Sequence, residues 1–558
     1  MIFSCDFETT TDPGDCRVWE WGSMELYKHE NYHYGTDIDS FINYIKTDKS
    51  VTKCYFHNLK FDIEFILHYL LTNGFKFVEN KKDVVENCFS VLISDMGQVY
   101  TADICFSGYG KNRRIVKLID SLKVIPMPVS KIPKAFGLDM EKLKIDYVEG
   151  GKGDTTEEQA IYLKRDCEIV AFALEHLFDQ GMTKLTTASN AFTDYKDVIG
   201  KENFKKWFPV PEYDRDIRQA YKGGFSYVNK MYAGKEIEEG IVLDVNSLYP
   251  WVMHDCPLPY GEGVFFEGQY KEDKLYNLYI QQFSCQFRLK PGRIPTIQLK
   301  NTRGFIPTEY IEASGDEYVT LCLTSVDLKL FFDQYDVWDI DWIAGWKFKS
   351  SDKLFKAYID KWIALKNQAT IDGNPGLRTL AKLMLNSLYG RFALNPDCRR
   401  KEPYIKEDGS VGYRLLSPET REAIYIPVGV FVTAWARNKT IRSAQANYER
   451  FIYADTDSLH LVGTEYPEGM EVDPVKLGAW KHESTFTRAK FLHSKCYIEE
   501  MNGELKVTVA GMPENCYSQV TYENFNEGTS YSGKLRPRHV SGGIVLEDCE
   551  FTIRKMVS

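Results

Sequence analysis

The stretch Phe451 to Val462, FIYADTDSLHLV, constrains this chain more than any other. An apolar run leads into Asp-Thr-Asp, and Leu459 and Leu461 alternate with His460 on the way out. That is the pattern of a β-hairpin with an acidic turn. Side chains two apart on extended backbone share a side, which predicts that Asp455 and Asp457 project together. Two unit charges about 4 Å apart repel by about 1 kcal/mol in water and about 4 kcal/mol at an effective dielectric of about 20. A cation between them removes that cost, and hard carboxylate oxygens suit Mg²⁺. Asp is also an ordinary turn residue, and Asp-x-Asp recurs at Asp37/Asp39, Asp214/Asp216 and Asp339/Asp341. Only the copy at 455 lies inside a strand-turn-strand with a Tyr two residues ahead.

A chain of 558 residues has room for several domains, and 44% apolar with 14% aromatic residues excludes wholesale disorder. The thirteen Cys form no C-x-x-C pair and no His-interleaved cluster, which argues against zinc sites and a disulfide framework. Scattered thiols fit a reducing compartment. MIFSCDFETT has no basic n-region and turns acidic by Asp6, so no signal peptide is expected. No apolar run is long enough to span a bilayer, and a soluble intracellular protein follows. A net charge of −10 opposes indiscriminate nucleic-acid binding but permits a local basic channel. Residues 353–402 supply one candidate, with ten Lys/Arg against four Asp/Glu. A solvated helix face would look the same.

Four more carboxylates sit in strand and helix patterns. Ile2 to Thr10 alternates as a strand with Asp6 and Glu8 on one side. YFHNLKFDIEFIL (Tyr55 to Leu67) changes from strand to helix period and puts Asn58 and Asp62 one turn apart on a helix face. Glu157 to Phe178 is amphipathic, with Tyr162 and Asp166 on one face. Each pair alone reads as solvated surface. Together Asp6, Glu8, Asp62 and Asp166 suit a two-metal phosphodiester hydrolase, with the Tyr162 hydroxyl placed to orient water.

DFETT, HNLKFD and YLKRD, in this order, resemble the three exonuclease motifs of family B DNA polymerases. The resemblance implies an α+β multidomain protein: an RNase H-like 3′–5′ exonuclease domain, then palm, fingers and thumb with two insertions. It implies Mg²⁺, two per active site, with Mn²⁺ as a substitute. It also places Asn58, Phe61, Ser121 and Leu122 on the single-stranded 3′ end. Lys142, four residues before Asp146-Tyr147, takes the place of a catalytic-site Lys. Lys144 stands where the family carries an acidic residue.

The second half continues the likeness. RQAYKGGFSYVN permits close backbone approach at Gly223-Gly224, and it resembles the family's template-contacting YxGG segment with Tyr221, Gly223, Gly224 and Phe225. IVLDVNSLYP is an apolar strand ending at Asp244, followed by a turn into helix. It resembles polymerase motif A, which implies metal ligation by Asp244, Asp457 and the Val245 carbonyl, with Asp455 in support. Tyr249 would pack on the incoming sugar and exclude a 2′-hydroxyl. Lys353 to Asn367 reads as a helix capped by Ser351-Asp352, and Asn374-Pro375 opens a second helix ending near Gly390. Arg378, Lys382 and Asn386 recur at four-residue steps with Tyr389 beside them, a face suited to a nucleoside triphosphate. KLMLNSLYG resembles motif B, and Lys366 joins this set by resemblance. TAWAR (Thr433, Arg437) and KCY (Lys495, Tyr497) resemble primer-template contact motifs.

The likeness covers essentially the whole chain and points to the protein-primed branch, of the phage phi-29 type. The implied organisation is exonuclease 1–185, first palm part 186–255, an insertion 256–350 of short mixed strands that binds a terminal protein, fingers 351–391, a β-hairpin insertion 392–420 around Asp408-Gly409 that encloses template, second palm part 421–514 and thumb 515–558. Implied partners are primer-template DNA, dNTPs, a terminal priming protein and a single-stranded-DNA-binding protein, for a monomer in the cytoplasm of an infected host. Two other readings remain at this point: an exonuclease whose second half only grips DNA, and a non-enzymatic single-strand binder using Phe225 and Tyr227 as stacking platforms, worth about 1–3 kcal/mol per base.

Overall fold

The structure is a computed structural model that describes residues 1–145, 150–298, 310–467 and 469–555. Asp146-Tyr147 and part of the first insertion therefore lie outside the described residues.

The N-terminal region is built on an eight-stranded sheet. Ile2–Thr9 sits inside it, between antiparallel Val18–Glu25 and parallel Lys53–Phe56. Apolar side chains of Ile2–Thr9 (Phe3, Cys5, Phe7) enter one core together with Phe56, Ile63 and Leu118. The strand-to-helix change after Lys53–Phe56 turns at Asn58, whose φ of 73° is left-handed. The Asp120 carboxylate accepts from the Asn58, Leu59 and Leu122 amides and so fixes the start of helix Leu59–Thr72. Asn58 thus caps the helix from outside rather than sharing its face with Asp62. Helix Glu157–Asp179 opens with a capping box between Thr156 and Gln159.

The rest of the chain is centred on a five-stranded sheet in the order Trp480–Phe486, Gly240–Val245, Ser458–Val462, Phe451–Asp455, Ser226–Val228. The acidic hairpin forms as Phe451–Asp455 and Ser458–Val462, and Asp244 lies opposite Ser458. Helix Ile426–Ala446 is buried behind it. The first insertion differs from the short mixed strands expected. Tyr335–Ser351 runs 17 residues and pairs along its length with Leu258–Glu267 and Leu278–Leu289. Phe283, Phe287, Phe331 and Tyr335 give this sheet its own core.

Helices Lys356–Ile371 and Pro375–Ala393 form an antiparallel pair. Asn374 caps the second by accepting from the Leu377 amide. That helix continues three residues past Gly390, because Phe392 is buried against Phe355 and Tyr195. The first starts later than the sequence pattern predicts, since Ser351 closes a strand. Two further hairpins project: Lys401–Ile405 with Val411–Leu415, and Ser530–Val540 with Gly543–Thr552. Among the described residues, no helix is long and apolar enough to cross a membrane.

Candidate active sites

In the first site, strand Ile2–Thr9 brings Asp6 and Glu8, helix Leu59–Thr72 brings Asp62, and helix Glu157–Asp179 brings Asp166 and Tyr162. Glu8, Asp62 and Asp166 are buried. Burial pushes the Asp6 carboxyl up to about 7, with repulsion from Asp166 adding to it and Lys142 opposing. Burial also holds Glu8 and Asp62 well above the usual carboxylate range, and each feels Asp6. Asp6 therefore lies within electrostatic reach of Glu8, Asp62 and Asp166. Lys142 closes on Asp166 Oδ2, and its ammonium stands 4.7 Å over the Tyr162 ring. The other oxygen, Asp166 Oδ1, is buried without a hydrogen-bond partner.

Glu20 belongs to the same group. It lies opposite Glu8 in the antiparallel register, is raised to about 7 by burial, and its Oε2 has no partner. A Glu between Trp19 and Trp21 in an apolar strand was the available signal. Around the site, Asn58 is exposed and Phe61 and Leu122 are half-buried. Ser121 is fully buried, and its hydroxyl donates to the Phe56 carbonyl at 3.0 Å. Direct contact of the Ser121 hydroxyl with a 3′ end is therefore replaced by support of the strand end next to Asp120. Lys144 is exposed.

The second site is a cavity of about 610 Å³. One wall carries Asp244, Val245, Asp457 and Tyr249; the other carries Lys366, Arg378, Lys382 and Asn386. Burial raises Asp244 to about 6, and repulsion from Asp457 and Glu483 adds to it. Asp457 is raised mainly by burial. On the opposite wall burial lowers Lys366, and Arg378 and Lys382 push the same way. The Val245 amide donates to the Asp457 carbonyl at 2.8 Å and so ties the two acidic segments together.

Asp455 departs from the expected common projection. Thr456 has φ of 59°, so the backbone turns between the two acids. Asp455 faces Lys495 at 3.3 Å and accepts from the Tyr453 hydroxyl at 3.2 Å, while Asp457 faces the cavity. Tyr389 packs behind Tyr249, ring centroids 4.4 Å apart, and is hydrogen-bonded to Tyr221. Glu483 and Lys481 also line the cavity. No local pattern marks them, because only the pairing of Trp480–Phe486 beside Gly240–Val245, with its bulge at Glu483, brings them there.

Four residues expected to touch DNA are in the interior. Phe225 is fully buried against Tyr227 and Tyr310, so it offers no stacking platform. Thr433 is fully buried, and its hydroxyl bonds back to its own helix at Val430. Arg437 is 5% exposed. It pairs with Asp327 at 2.7 Å and donates to the Lys222 and Gly223 carbonyls. Tyr497 stacks on Phe491 at 4.8 Å. These side chains hold the segments that carry Tyr221, Gly223, Gly224 and Lys495 in place.

Among the described residues no trio of His, Cys, Asp or Glu stands ready-made as a closed metal-ligand set. The donors nevertheless suit a hard divalent cation. The side-chain donors are all carboxylates, most are raised by burial and by mutual repulsion, and Asp166 Oδ1 and Glu20 Oε2 are buried without partners.

The model of the family DNA polymerase type B, organellar and viral, matches residues 44–473. The chain is 46% identical over 578 residues to the DNA polymerase of Bacillus phage phi29, and the match covers 99% of each. It is 31% identical to that of Streptococcus phage Cp-1, covering 99% of this chain and 98% of the relative. The structure of phi29 DNA polymerase complexed with primer-template DNA and incoming nucleotide substrates superposes with a TM-score of 0.93 at 44% identity, covering 99% of this chain and 100% of that one. The same polymerase complexed with single-stranded DNA gives a TM-score of 0.92 at 44% identity, with 99% and 100% covered. An acid-and-cation-walled cavity, a separate pit of carboxylates and similarity along the whole length agree: the chain belongs to the type B DNA polymerases of organelles and viruses, among the phage enzymes of the phi29 kind, and is a DNA-directed DNA polymerase.

Proposed function

We propose that the chain replicates a phage genome by protein-primed, strand-displacing synthesis and proofreads with a separate 3′–5′ exonuclease site. The observation that carries this reading is the cavity with Asp244 and Asp457 facing Lys366, Arg378 and Lys382. Paired carboxylates opposite clustered cations suit a nucleoside triphosphate beside a 3′-hydroxyl. The three cations neutralise the phosphates and Asn386 donates to them. Tyr249, backed by Tyr389, stands against the sugar.

Mg²⁺, two ions per site with Mn²⁺ able to substitute, would be held by Asp244, Asp457 and the Val245 carbonyl for synthesis, and by Asp6, Glu8, Asp62 and Asp166 for hydrolysis. When bound, such ions stabilise the attacking and leaving oxygens of phosphoryl transfer. At the hydrolytic site Lys142 holds Asp166 and lies against Tyr162, whose hydroxyl orients the attacking water. Asn58, Phe61 and Leu122 line the approach of the 3′ end. Tyr221 and the Gly223-Gly224 backbone meet template, and Lys495 meets the primer.

The first insertion is assigned to the terminal protein, whose hydroxyl replaces the primer hydroxyl at initiation. The Asp408-Gly409 hairpin is assigned to enclosing the template. The setting is the infected host cell. An assay with labelled dNTPs and Mg²⁺, run on primed DNA and separately on a candidate terminal protein, tests both halves. Incorporation onto DNA and covalent labelling of the protein are expected. Incorporation onto DNA alone overturns protein priming, and absence of both overturns the reading.

A further inference from the structure

Glu64 is a buried carboxylate that neither active site uses. It follows Asp62 by two residues, about 200° round the helix at 3.6 residues per turn, so it points away from the exonuclease acids. It is 4% exposed. The Tyr413 hydroxyl, from the Asp408-Gly409 hairpin, donates to Glu64 Oε1 at 2.7 Å. His539 Nδ1, from the C-terminal hairpin, lies at ion-pair distance from Oε2, 3.2 Å, without the alignment of a hydrogen bond. One turn further along the same helix, His68 faces the backbone of Gly409. A single helix of the exonuclease region therefore grips two hairpins that arise far away in the chain.

The two hairpins also touch each other. Ser410 bridges Ser541 in antiparallel fashion. The turn after Val540 presses on the exonuclease region: a Cβ on Gly542, at φ of 98°, would stand 2.2 Å from the Cys16 carbonyl oxygen, and one on Gly543 would stand 2.5 Å from Phe65. At its other end this hairpin is rooted in the palm, where Tyr531 and Phe551 share a core with Cys496 and Ile498. Strand Ser530–Val540 has 11 residues, a span of about 35 Å at roughly 3.3 Å per residue. The chain therefore closes a ring: palm, C-terminal hairpin, Ser541 to Ser410, the Asp408-Gly409 hairpin, and back through the helix pair to the palm.

We propose that Glu64 fastens this ring and is a positioning residue for processive synthesis, keeping the two hairpin tips together round the DNA. The proposal rests on the reading that the Asp408-Gly409 hairpin encloses template. Removing the carboxylate leaves Tyr413 without its acceptor and His539 without its acidic neighbour, and lets the tips part while both active sites stay intact.

The test uses the full chain on a primed single-stranded circle with excess unlabelled DNA as trap. It measures product length per binding event beside the rate of single-nucleotide insertion. For Glu64→Ala, length falls about tenfold, as expected for loss of a charged hydrogen bond, and insertion stays within about twofold. Glu64→Gln keeps an acceptor for Tyr413 and lies between; His539→Gln resembles it. Unchanged length for Glu64→Ala, or an equal fall in length and insertion, overturns the proposal. Deleting 401–415 separates it from the underlying reading. If the deletion shortens products and Glu64→Ala does not, the fastening fails and the enclosure stands; if neither does, both fail. A second, independent arm pairs Ser410→Cys with Ser541→Cys, since facing antiparallel residues lie within disulfide reach. The oxidised protein is expected to extend linear primer-templates, to be excluded from closed circles, and to recover on reduction. Loading onto circles despite the disulfide overturns ring closure there.

Discussion

The two acidic sites solve one problem differently. In the exonuclease region the carboxylates are deeper, with Asp6 pushed to about 7 and Glu8 and Asp62 well above the usual range. The positive charge there is supplied from inside, by Lys142 against Asp166. In the polymerase cavity Asp244 is raised only to about 6. There the cations stand on a separate wall made by the two helices. A closed pit with its own ammonium fits one phosphodiester that is being removed. An open cavity with opposed walls fits a triphosphate that must enter and a pyrophosphate that must leave.

The largest expected effects separate the two regions. Asp457→Ala should lower nucleotide incorporation by roughly 10³-fold or more and leave 3′ digestion within about twofold; Asp6→Ala should do the reverse. Primer extension and release of labelled 3′ nucleotide check this, and loss of both activities in both variants would break the comparison. Lys142→Ala should lower exonuclease turnover by about 10²-fold with synthesis unchanged. Lys366→Ala should raise KM for dNTP about tenfold with a small change in kcat, since the contact is to substrate phosphate before and during reaction. Steady-state titration of dNTP reads that split.

A fourth prediction concerns pH. A carboxyl whose folded-state pKa lies above its unfolded one binds more protons folded than unfolded. Between about 4 and 7, therefore, stability from Asp6 and Glu20 falls as pH rises. Without divalent metal the chain should be less stable at pH 8 than at pH 5.5. Mg²⁺ should raise Tm by roughly 2–4 °C more at pH 8 than at pH 5.5, where protons occupy the same oxygens. Thermal melts across that range, with and without Mg²⁺, would show it; Asp6→Asn should flatten the difference. The smallest effect expected is for Thr433→Val, whose buried hydroxyl serves its own helix: DNA affinity should change by less than about twofold.

Local pattern made much of this readable. Alternation gave the strand around Asp6 and the acidic hairpin, and Asn374-Pro375 marked a real cap. Four-residue spacing also put Arg378, Lys382 and Asn386 on one wall. Burial was harder to read. Phe225, Thr433, Arg437 and Tyr497 sit in segments expected from their motifs to meet DNA, yet these side chains point into the protein, and a linear motif does not say which way a residue faces. Glu20 enters its site through cross-strand register and Glu483 through the bulge in Trp480–Phe486 beside Val242 and Leu243, and both depend on partners distant in sequence. The helix beyond Gly390 persists because tertiary packing of Phe392 outweighs the roughly 1 kcal/mol that Gly costs relative to Ala.

Gly224 lies so close to the acidic turn that a Cβ there would come within 2.4 Å of the Thr456 hydroxyl oxygen. Thr456 in turn donates its amide to the Phe225 carbonyl. The Gly223-Gly224 strip and the bend that bears Asp457 are thus interlocked like adjacent teeth. Evolution can alter either only by remaking both, and an added methyl group at 224 would be felt as a misplaced acid more than 230 positions later.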